Sequence, residues 1–281
     1  MKVVVTGAGG MLGTALVPAL EAVGHEVLPL TEQDADVRDL TALRYPLTAF
    51  HPDWVVNLAA YTRVDDAETH ADAAYLVNAL GARNVALAAA ESGAAVLHLS
   101  TDYVFAGDTR SPRREYDAAV PRTVYGVSKR AGELAVAEVH ARHLIVRTAW
   151  LYGRGGHNFV DTILRKSRAG ESIAVVDDQH GSPTWTRDLA AQLIRLMASS
   201  QFGTYHVTSS GECSWHEFAS HLLALAGLPP PSRTDSAAFA RPAPRPAYSV
   251  LSNLLAEYVT GRRMPTWQDA IERYLQESRS S

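Results

Sequence analysis

Tyr125 and Lys129 stand four positions apart in the stretch Thr123 to Lys129, TVYGVSK, a spacing that puts both side chains on one face of a helix. The chain has three lysines against twenty-three arginines. Chance would supply roughly 0.1 such Tyr-to-Lys pairs at that composition, and one occurs. In a protein that takes nearly all its positive charge from arginine, a lysine at 129 marks a place for a compact ammonium rather than a planar guanidinium. The chemistry on offer is proton transfer: a phenol titrates near about 10, and an adjacent ammonium lowers that value by stabilising the phenolate. The competing reading is an exposed pair on a solvated helix face.

A proton-transfer pair needs elements that hold it against a ligand, and the N-terminal pattern supplies them. Val3 to Val5 read as a buried strand, and Gly7-Ala8-Gly9-Gly10-Met11-Leu12-Gly13 opens a helical pattern through Val23. Gly7 permits a tight turn, Gly10 lets the backbone approach a pyrophosphate, and Gly13 lets helix and strand pack closely, with the helix N-terminus facing the phosphates. The second strand, Glu26 to Leu30, leads into Thr31 rather than an acidic residue for a ribose 2′-hydroxyl, and no arginine follows immediately to hold a 2′-phosphate. The choice between NADH and NADPH is therefore not legible. Asp36 and Val37 fall in the loop before a helix from Leu40 to Phe50, where they suit the flank of an adenine; a solvated loop Asp36 fits as well.

Trp54 to Leu58 is a third strand, and Ala59-Ala60-Tyr61-Thr62 follows with small residues that admit a cofactor. A helix from Ala71 to Ser92, broken at Gly93, leads to a fourth strand, Ala95 to Leu99. Ser100, Thr101 and Asp102 stand at its end, and in open parallel sheets ligands bind outside the carboxyl ends of strands. The polar segment after Phe105, with Pro112 and Pro121, suits a mobile active-site loop. The Tyr125 helix runs through Glu138, and His143 to Arg147 is the next strand. This alternation predicts an α/β fold: a Rossmann-like doubly wound parallel sheet over residues 1–150 that binds NAD(P).

Beyond Trp150 the pattern loosens into a smaller C-terminal substrate-binding lobe, residues 151–182 and 208–281, with 183–207 returning to the sheet domain. Helices are expected over Asn158 to Arg168 and Asp188 to Ser199. Strands are expected over Ile173 to Val176 and Tyr205 to Val207, with a polar loop from Asp177 to Trp185. Ser214 and Glu217 form a capping box for a helix toward Ala226. Six prolines between Pro229 and Pro246 rule out a continuous helix or central strand and predict an extended surface connection, before a final helix from Thr266 and Asp269.

Hydrophobic residues make up 47% of the chain and charged residues 20%, an ordinary globular composition. The formal net charge of −4 gives no general attraction to nucleic acid or to an anionic membrane, so neither partner is expected. The single cysteine, Cys213, excludes an internal disulfide and a cysteine metal cluster and fits a reducing compartment. No signal-peptide pattern opens the chain, and no apolar run approaches the roughly 20 residues of a membrane span, so the expected location is the cytoplasm. His216-Glu217 with His221 imitates a zinc-protease motif, but the second histidine is one residue too far to share a helix face with the first. No nucleophile elbow of the G-x-S-x-G type occurs.

TGAGGMLG at the N-terminus, NLAAYT, STDYVF at Ser100 to Phe105 and YGVSK at Tyr125 to Lys129 together resemble the extended short-chain dehydrogenase/reductases. Within that family the chain is similar to the dTDP-4-dehydrorhamnose reductases, through RTAWLYG, VVDDQHGSPTW and YHVTSSGECSWHEF along nearly its whole length. The resemblance implies Tyr125 as proton donor, Lys129 as its electrostatic helper and ribose ligand, and Thr101 as the hydroxyl that holds the reacting carbonyl. It places Asp102 and Trp150 against the sugar, and Gly10, Met11, Leu12, Asp36, Val37, Ala60, Tyr61, Thr62 and Leu99 against the cofactor. Thr14 and Ala15 stand where some members carry an acidic ligand for a magnesium ion at a dimer contact, so no metal is expected. The implied activity is NADPH- or NADH-dependent reduction of a nucleotide-linked 4-keto-6-deoxysugar by a monomer or homodimer. A nucleotide-sugar epimerase with retained NAD, and a non-catalytic regulatory subunit like that of methionine adenosyltransferase, are the alternatives.

Overall fold

The computed structural model describes residues 1–239 and 241–280. Ala240, in the proline-rich stretch, and Ser281, at the end of the expected lobe, lie outside the described residues. In chain order the elements are β1 (Lys2–Thr6), α1 (Gly13–Ala22), β2 (Glu26–Leu30), α2 (Leu40–Phe50), β3 (Trp54–Asn57), α3 (Val64–Ala67), α4 (Ala71–Tyr75), α5 (Ala82–Glu91), β4 (Ala95–Thr101), α6 (Val124–Val139) and β5 (His143–Thr148). There follow β6 (Leu151–Tyr152), α7 (Phe159–Arg168), β7 (Ala174–Val176), β8 (His180–Gly181), β9 (Thr184–Trp185), α8 (Thr186–Ser199), β10 (Gly203–His206), β11 (Cys213–Ser214), α9 (Trp215–Leu225), β12 (Ser232–Thr234), α10 (Leu254–Thr260) and α11 (Trp267–Ser280).

Six strands form one parallel sheet in the order β10-β5-β4-β3-β1-β2. Successive side chains of a strand point to opposite faces, so Val3 and Val5 pack on one side and Val4 on the other. Val3, Val5, Val56, Leu97 and Val146 meet Leu16 and Leu20 of α1 and Leu189, Leu193 and Leu196 of α8. Val4, Val55, Val96 and Ile145 meet α2, α5 and α6 through Leu43, Leu47, Val85, Ala89 and Val136. Helices on both faces explain why these strands read as continuous apolar runs rather than as alternations. The strand order reverses between β1 and β3, the point at which an open α/β sheet leaves a crevice at its carboxyl edge.

A separate core joins α7, α9 and α11 through Val160, Ile163, Phe218, Leu222, Ile271 and Tyr274, with Tyr152 and Trp185 from β6 and β9. Three two-stranded ladders trim it: β6 with β9, β7 with β12, and β8 with β11. The last two run through the stretches expected as a polar loop and as a bare proline-rich connection. The helix α10, unpredicted and inside the stretch assigned to the lobe, places Ala256 in the core of the large sheet beside α8, as does Met264 just after it.

The helix expected from Ala71 to Ser92 is also modified. Between α4 and α5 the backbone widens into a π-helical turn, Leu76–Gly81. There Asn78 donates to Ser128 Oγ at 3.0 Å and to the Tyr61 carbonyl at 3.1 Å, and accepts from Tyr61 N–H at 2.8 Å. Such bulges recur beside functional sites. Here one ties α6 to the segment after β3.

Candidate active site

Thr123 caps α6, its hydroxyl accepting the Gly126 N–H at 3.0 Å, and so sets the first turn that carries Tyr125. A Cβ at Gly126 would lie 2.2 Å from the Tyr103 carbonyl oxygen, so the absence of a side chain lets this turn press against the segment after β4. Tyr103 meets Tyr125 edge-on, ring centroids 5.5 Å apart. Thr101, the last residue of β4, donates to Asp102 Oδ1 at 2.9 Å and is a hydrogen-bond partner of the Tyr125 phenol. Lys129, one turn on and buried, points its Nζ at the Leu99 carbonyl, 2.6 Å away.

Burial moves these groups in opposite senses. It pushes the Tyr125 phenol up to about 12, Asp102 adding to the rise and the Thr101 hydrogen bond opposing it. It brings the Lys129 ammonium down to about 8, with Glu133 opposing. The expected lowering of the phenol by Lys129 is therefore corrected in this state of the protein: loss of water dominates, and the ammonium is turned to a backbone carbonyl. Asp102 is pushed up to about 6 by burial, against the hydroxyls of Thr101 and Ser249. Burial also works against the charge of Glu133, but Arg147, with bonds of 2.8 and 2.9 Å, and Arg130 hold it below the usual carboxylate range. That fully buried pair anchors α6 to β5.

The sixteen residues singled out from sequence, Gly7, Gly10, Met11, Leu12, Gly13, Asp36, Val37, Ala60, Tyr61, Thr62, Leu99, Thr101, Asp102, Tyr125, Lys129 and Trp150, all line one cavity of about 1500 Å³. Single-ligand pockets are typically roughly 300–1,000 Å³, so this one has room for two ligands. Its sheet end suits a dinucleotide. Gly7 has φ +68° and its Cβ would strike Ala59 N at 2.6 Å, while a Cβ at Gly13 would strike Ala8 O at 2.2 Å. A Cβ at Gly10 would meet only Gly7 O, at 3.2 Å, so the turn presents bare backbone to the cavity. The helix α1 begins there without a side-chain cap; the N–H groups of Thr14, Ala15 and Leu16 donate to Gly10 O and Leu12 O, so an anion would meet the positive end of the helix and the N–H groups of the turn just ahead of Thr14.

At the lobe end Trp150 has φ 50°, a left-handed conformation that an aromatic residue adopts only when its surroundings impose it. Its ring stacks on Trp215 at 3.5 Å and 5°, and a Cβ at Gly181 would overlap it at 2.3 Å. Trp215, Tyr103, Arg63, Arg241 and Arg245 also line the cavity, unanticipated from sequence. Tyr103 and Trp215 lay within the quoted motifs, whereas the two arginines belong to the stretch read as a surface connection. That stretch walls the cavity instead, because Asp65 holds Arg245 at 2.8 Å and Arg241 at 3.4 Å. The segment expected as a mobile active-site loop is corrected too: among the cavity-lining residues none lies between 103 and 125. Arg113 N–H donates to Val250 O, and Glu115 accepts the His206 N–H, so the segment is fastened to the sheet edge.

The imitation zinc motif is dispersed. His216 donates to the Pro231 carbonyl, Glu217 completes the Ser214 capping box, and His221 packs edge-on to Trp267. Cys213 is buried, and burial pushes its thiol up. No helix of the described residues is long and apolar enough to cross a membrane.

Residues 1–280 match the family model described as RmlD substrate binding domain. The chain is 48% identical over 255 residues to the dTDP-4-dehydrorhamnose reductase of Streptomyces griseus, covering 88% of this chain and 84% of that protein. It is 43% identical over 281 residues to the spore coat polysaccharide biosynthesis protein SpsK of Bacillus subtilis (strain 168), covering 100% of this chain and 99% of that one. Among solved structures, dTDP-4-dehydrorhamnose reductase from Bacillus anthracis in complex with NADP superposes with a TM-score of 0.96 at 39% identity, covering 98% of this chain and 99% of that one.

Proposed function

The chain belongs to the RmlD substrate binding domain family, and from that premise we propose that it reduces the C4 ketone of dTDP-4-dehydro-β-L-rhamnose, or of a closely related nucleotide-linked 4-keto-6-deoxysugar, with NADPH or NADH. The observation that carries this reading is the single cavity in which the glycine turn, the Thr101-Tyr125-Lys129 set and the Trp150 stack meet. A nicotinamide dinucleotide bound along its sheet end supplies the hydride. Gly7, Gly10 and the α1 N-terminus hold the pyrophosphate, Asp36 and Val37 flank the adenine, and the segment from Ala60 to Thr62 with Leu99 borders the remainder.

Thr101 holds the ketone oxygen, and Tyr125 gives that oxygen its proton as negative charge develops on it. A phenol pushed up to about 12 is protonated throughout the neutral range, the state a donor needs. Lys129 contacts the ribose and supplies positive charge behind the phenol, Asp102 accepts from a sugar hydroxyl, and Trp150 offers its ring to the sugar. The lone buried cysteine suits a reducing compartment, and the reading includes a cytoplasmic site of action.

Tyr125→Phe removes the donor oxygen and keeps the ring. Nicotinamide oxidation with a panel of nucleotide 4-ketosugars should show turnover on one of them, and the variant should lose about 10²- to 10⁴-fold in kcat with little change in cofactor Kd. Near wild-type turnover by the variant would remove Tyr125 from the mechanism. Epimerised sugar without net nicotinamide oxidation would remove the reductase.

A further inference from the structure

Three buried polar side chains stand side by side across the middle of the sheet: Thr6 ends β1, its strand partner Asn57 ends β3, and the partner of Asn57 in β4 is His98. Alternation puts them on the face of Val4, Val55 and Val96, which α5 and α6 cover. Lys129 descends from α6 onto the same face and ends on the carbonyl of Leu99, the residue next to His98. Imidazole and ammonium are thus enclosed together without water. Burial and the charge of Lys129 hold His98 well below the usual imidazole range, so the ring is neutral and one of its two nitrogens carries the proton.

Which nitrogen that is follows from the neighbouring strand. Ala59 N–H, a donor that cannot reverse its role, donates to Asn57 Oδ1 at 3.2 Å, and the Thr6 hydroxyl donates to the same oxygen at 2.8 Å. The Asn57 amide is thereby turned with Nδ2 toward His98 Nδ1, 3.1 Å away. An amide nitrogen only donates, so Nδ1 accepts and the proton sits on Nε2. That N–H is buried and has no hydrogen-bond partner among the described residues. A donor beside an amine favours its neutral form, which has a lone pair to accept with, over the ammonium, which has none. The other titratable groups about Lys129 are Tyr125 and Glu133 on its own helix, Asp102 past the end of β4, and Arg147 of β5, which with Arg130 is engaged by Glu133. Resting on the reading of Lys129 as the charge behind the Tyr125 phenol, we propose that His98 is a positioning residue for the proton-transfer set. Held as its Nε2–H tautomer by Asn57, it turns the Lys129 ammonium away from the sheet, toward the Leu99 carbonyl and the cavity, and makes it easier to deprotonate.

The chain has only the lysines Lys2, Lys129 and Lys166, so NMR of protein labelled with carbon-13 at lysine Cε reads the titration of Lys129 directly, the signal being assigned by its loss in Lys129→Arg. The nitrogen-15 shifts of the wild-type His98 ring should show a proton on Nε2 alone, unchanged from about pH 6 to about pH 8. His98→Asn keeps an acceptor for Asn57 and has nothing in place of Nε2, and His98→Met removes both nitrogens. Each should raise the Lys129 midpoint by about half a pH unit or more. Val96→Ala, which opens space two residues earlier on the same face, is the control for admitted water and should leave the midpoint in place. On a 4-ketosugar substrate the basic limb of kcat/KM should move with the midpoint. A proton on Nδ1, a midpoint unchanged in both His98 variants, or an equal rise in Val96→Ala would overturn the proposal. Where neither His98 variant folds, the wild-type tautomer decides alone. A chain that shows these titrations but oxidises no nicotinamide with any 4-ketosugar removes the proposed reaction and leaves the hold of His98 on Lys129 standing.

Discussion

Burial acts on Tyr125 and Lys129 with opposite signs because it penalises whichever form is charged: the phenolate in one case, the ammonium in the other. The phenol consequently keeps its proton, while the ammonium is brought down to about 8. Lys129 is protonated below that value and neutral above it. Activity that depends on its charge should therefore be full near pH 7 and fall as pH rises through about 8, read as a basic limb in kcat/KM. Lys129→Arg keeps the charge at high pH, but a guanidinium cannot repeat the compact 2.6 Å contact with the Leu99 carbonyl, so its turnover should be lower and its residual profile should lack that limb. An unchanged limb near 8 in the arginine variant would assign the titration to another group.

At the scale of elements, α6 is set by how closely it approaches the π-helical turn before α5. A Cβ at Gly132 would stand 2.0 Å from the Asn78 carbonyl oxygen, which is backbone and cannot swing away. Gly132→Ala should therefore force α6 outward, costing about 1–3 kcal/mol in denaturant unfolding and lowering turnover because Tyr125 and Lys129 ride on the same helix. Leu134→Ala, on the exposed side of α6, is the control and should be nearly neutral. If Gly132→Ala is as stable as the wild type, the close approach does not position the helix.

For the whole molecule, the contact that matters is the one from the proline-rich stretch back to the sheet domain. Asp65 receives Arg245 and Arg241, and its carboxyl, although burial works against its charge, is held below the usual range by Arg245, the Ala243 N–H and Arg241. Asp65→Ala leaves the largely buried Arg245 without its carboxylate and should cost roughly 1–3 kcal/mol at pH 7. A carboxyl whose folded pKa is depressed contributes above its unfolded pKa and loses that contribution as pH falls through the folded one, so the difference should vanish in acid. We propose that this stretch closes the lobe over the sugar nucleotide, in which case the variant should also raise KM for that substrate while cofactor Kd stays put. An unchanged KM would leave the bridge a purely structural contact.

Local patterns carried much of this. The apolar runs, the glycine turn, the capping residues Thr123 and Ser214 and the four-residue step from Tyr125 to Lys129 each concern neighbours within a turn or a strand, where residue type and period are enough to read element and face. The glycine turn and the family motifs together assembled sixteen residues that share one cavity. What the chain order could not disclose were contacts between distant positions: Arg38 folded back to Glu32, Asp65 receiving arginines from positions 241 and 245, Ala256 joining the sheet core, and the segment after Phe105 fastened to the sheet edge. The protonation states belong to this second group. Whether Lys129 lowers the phenol or burial raises it depends on how much water the packed sheet, α6 and the lobe exclude together, and that quantity exists only once the tertiary structure has formed.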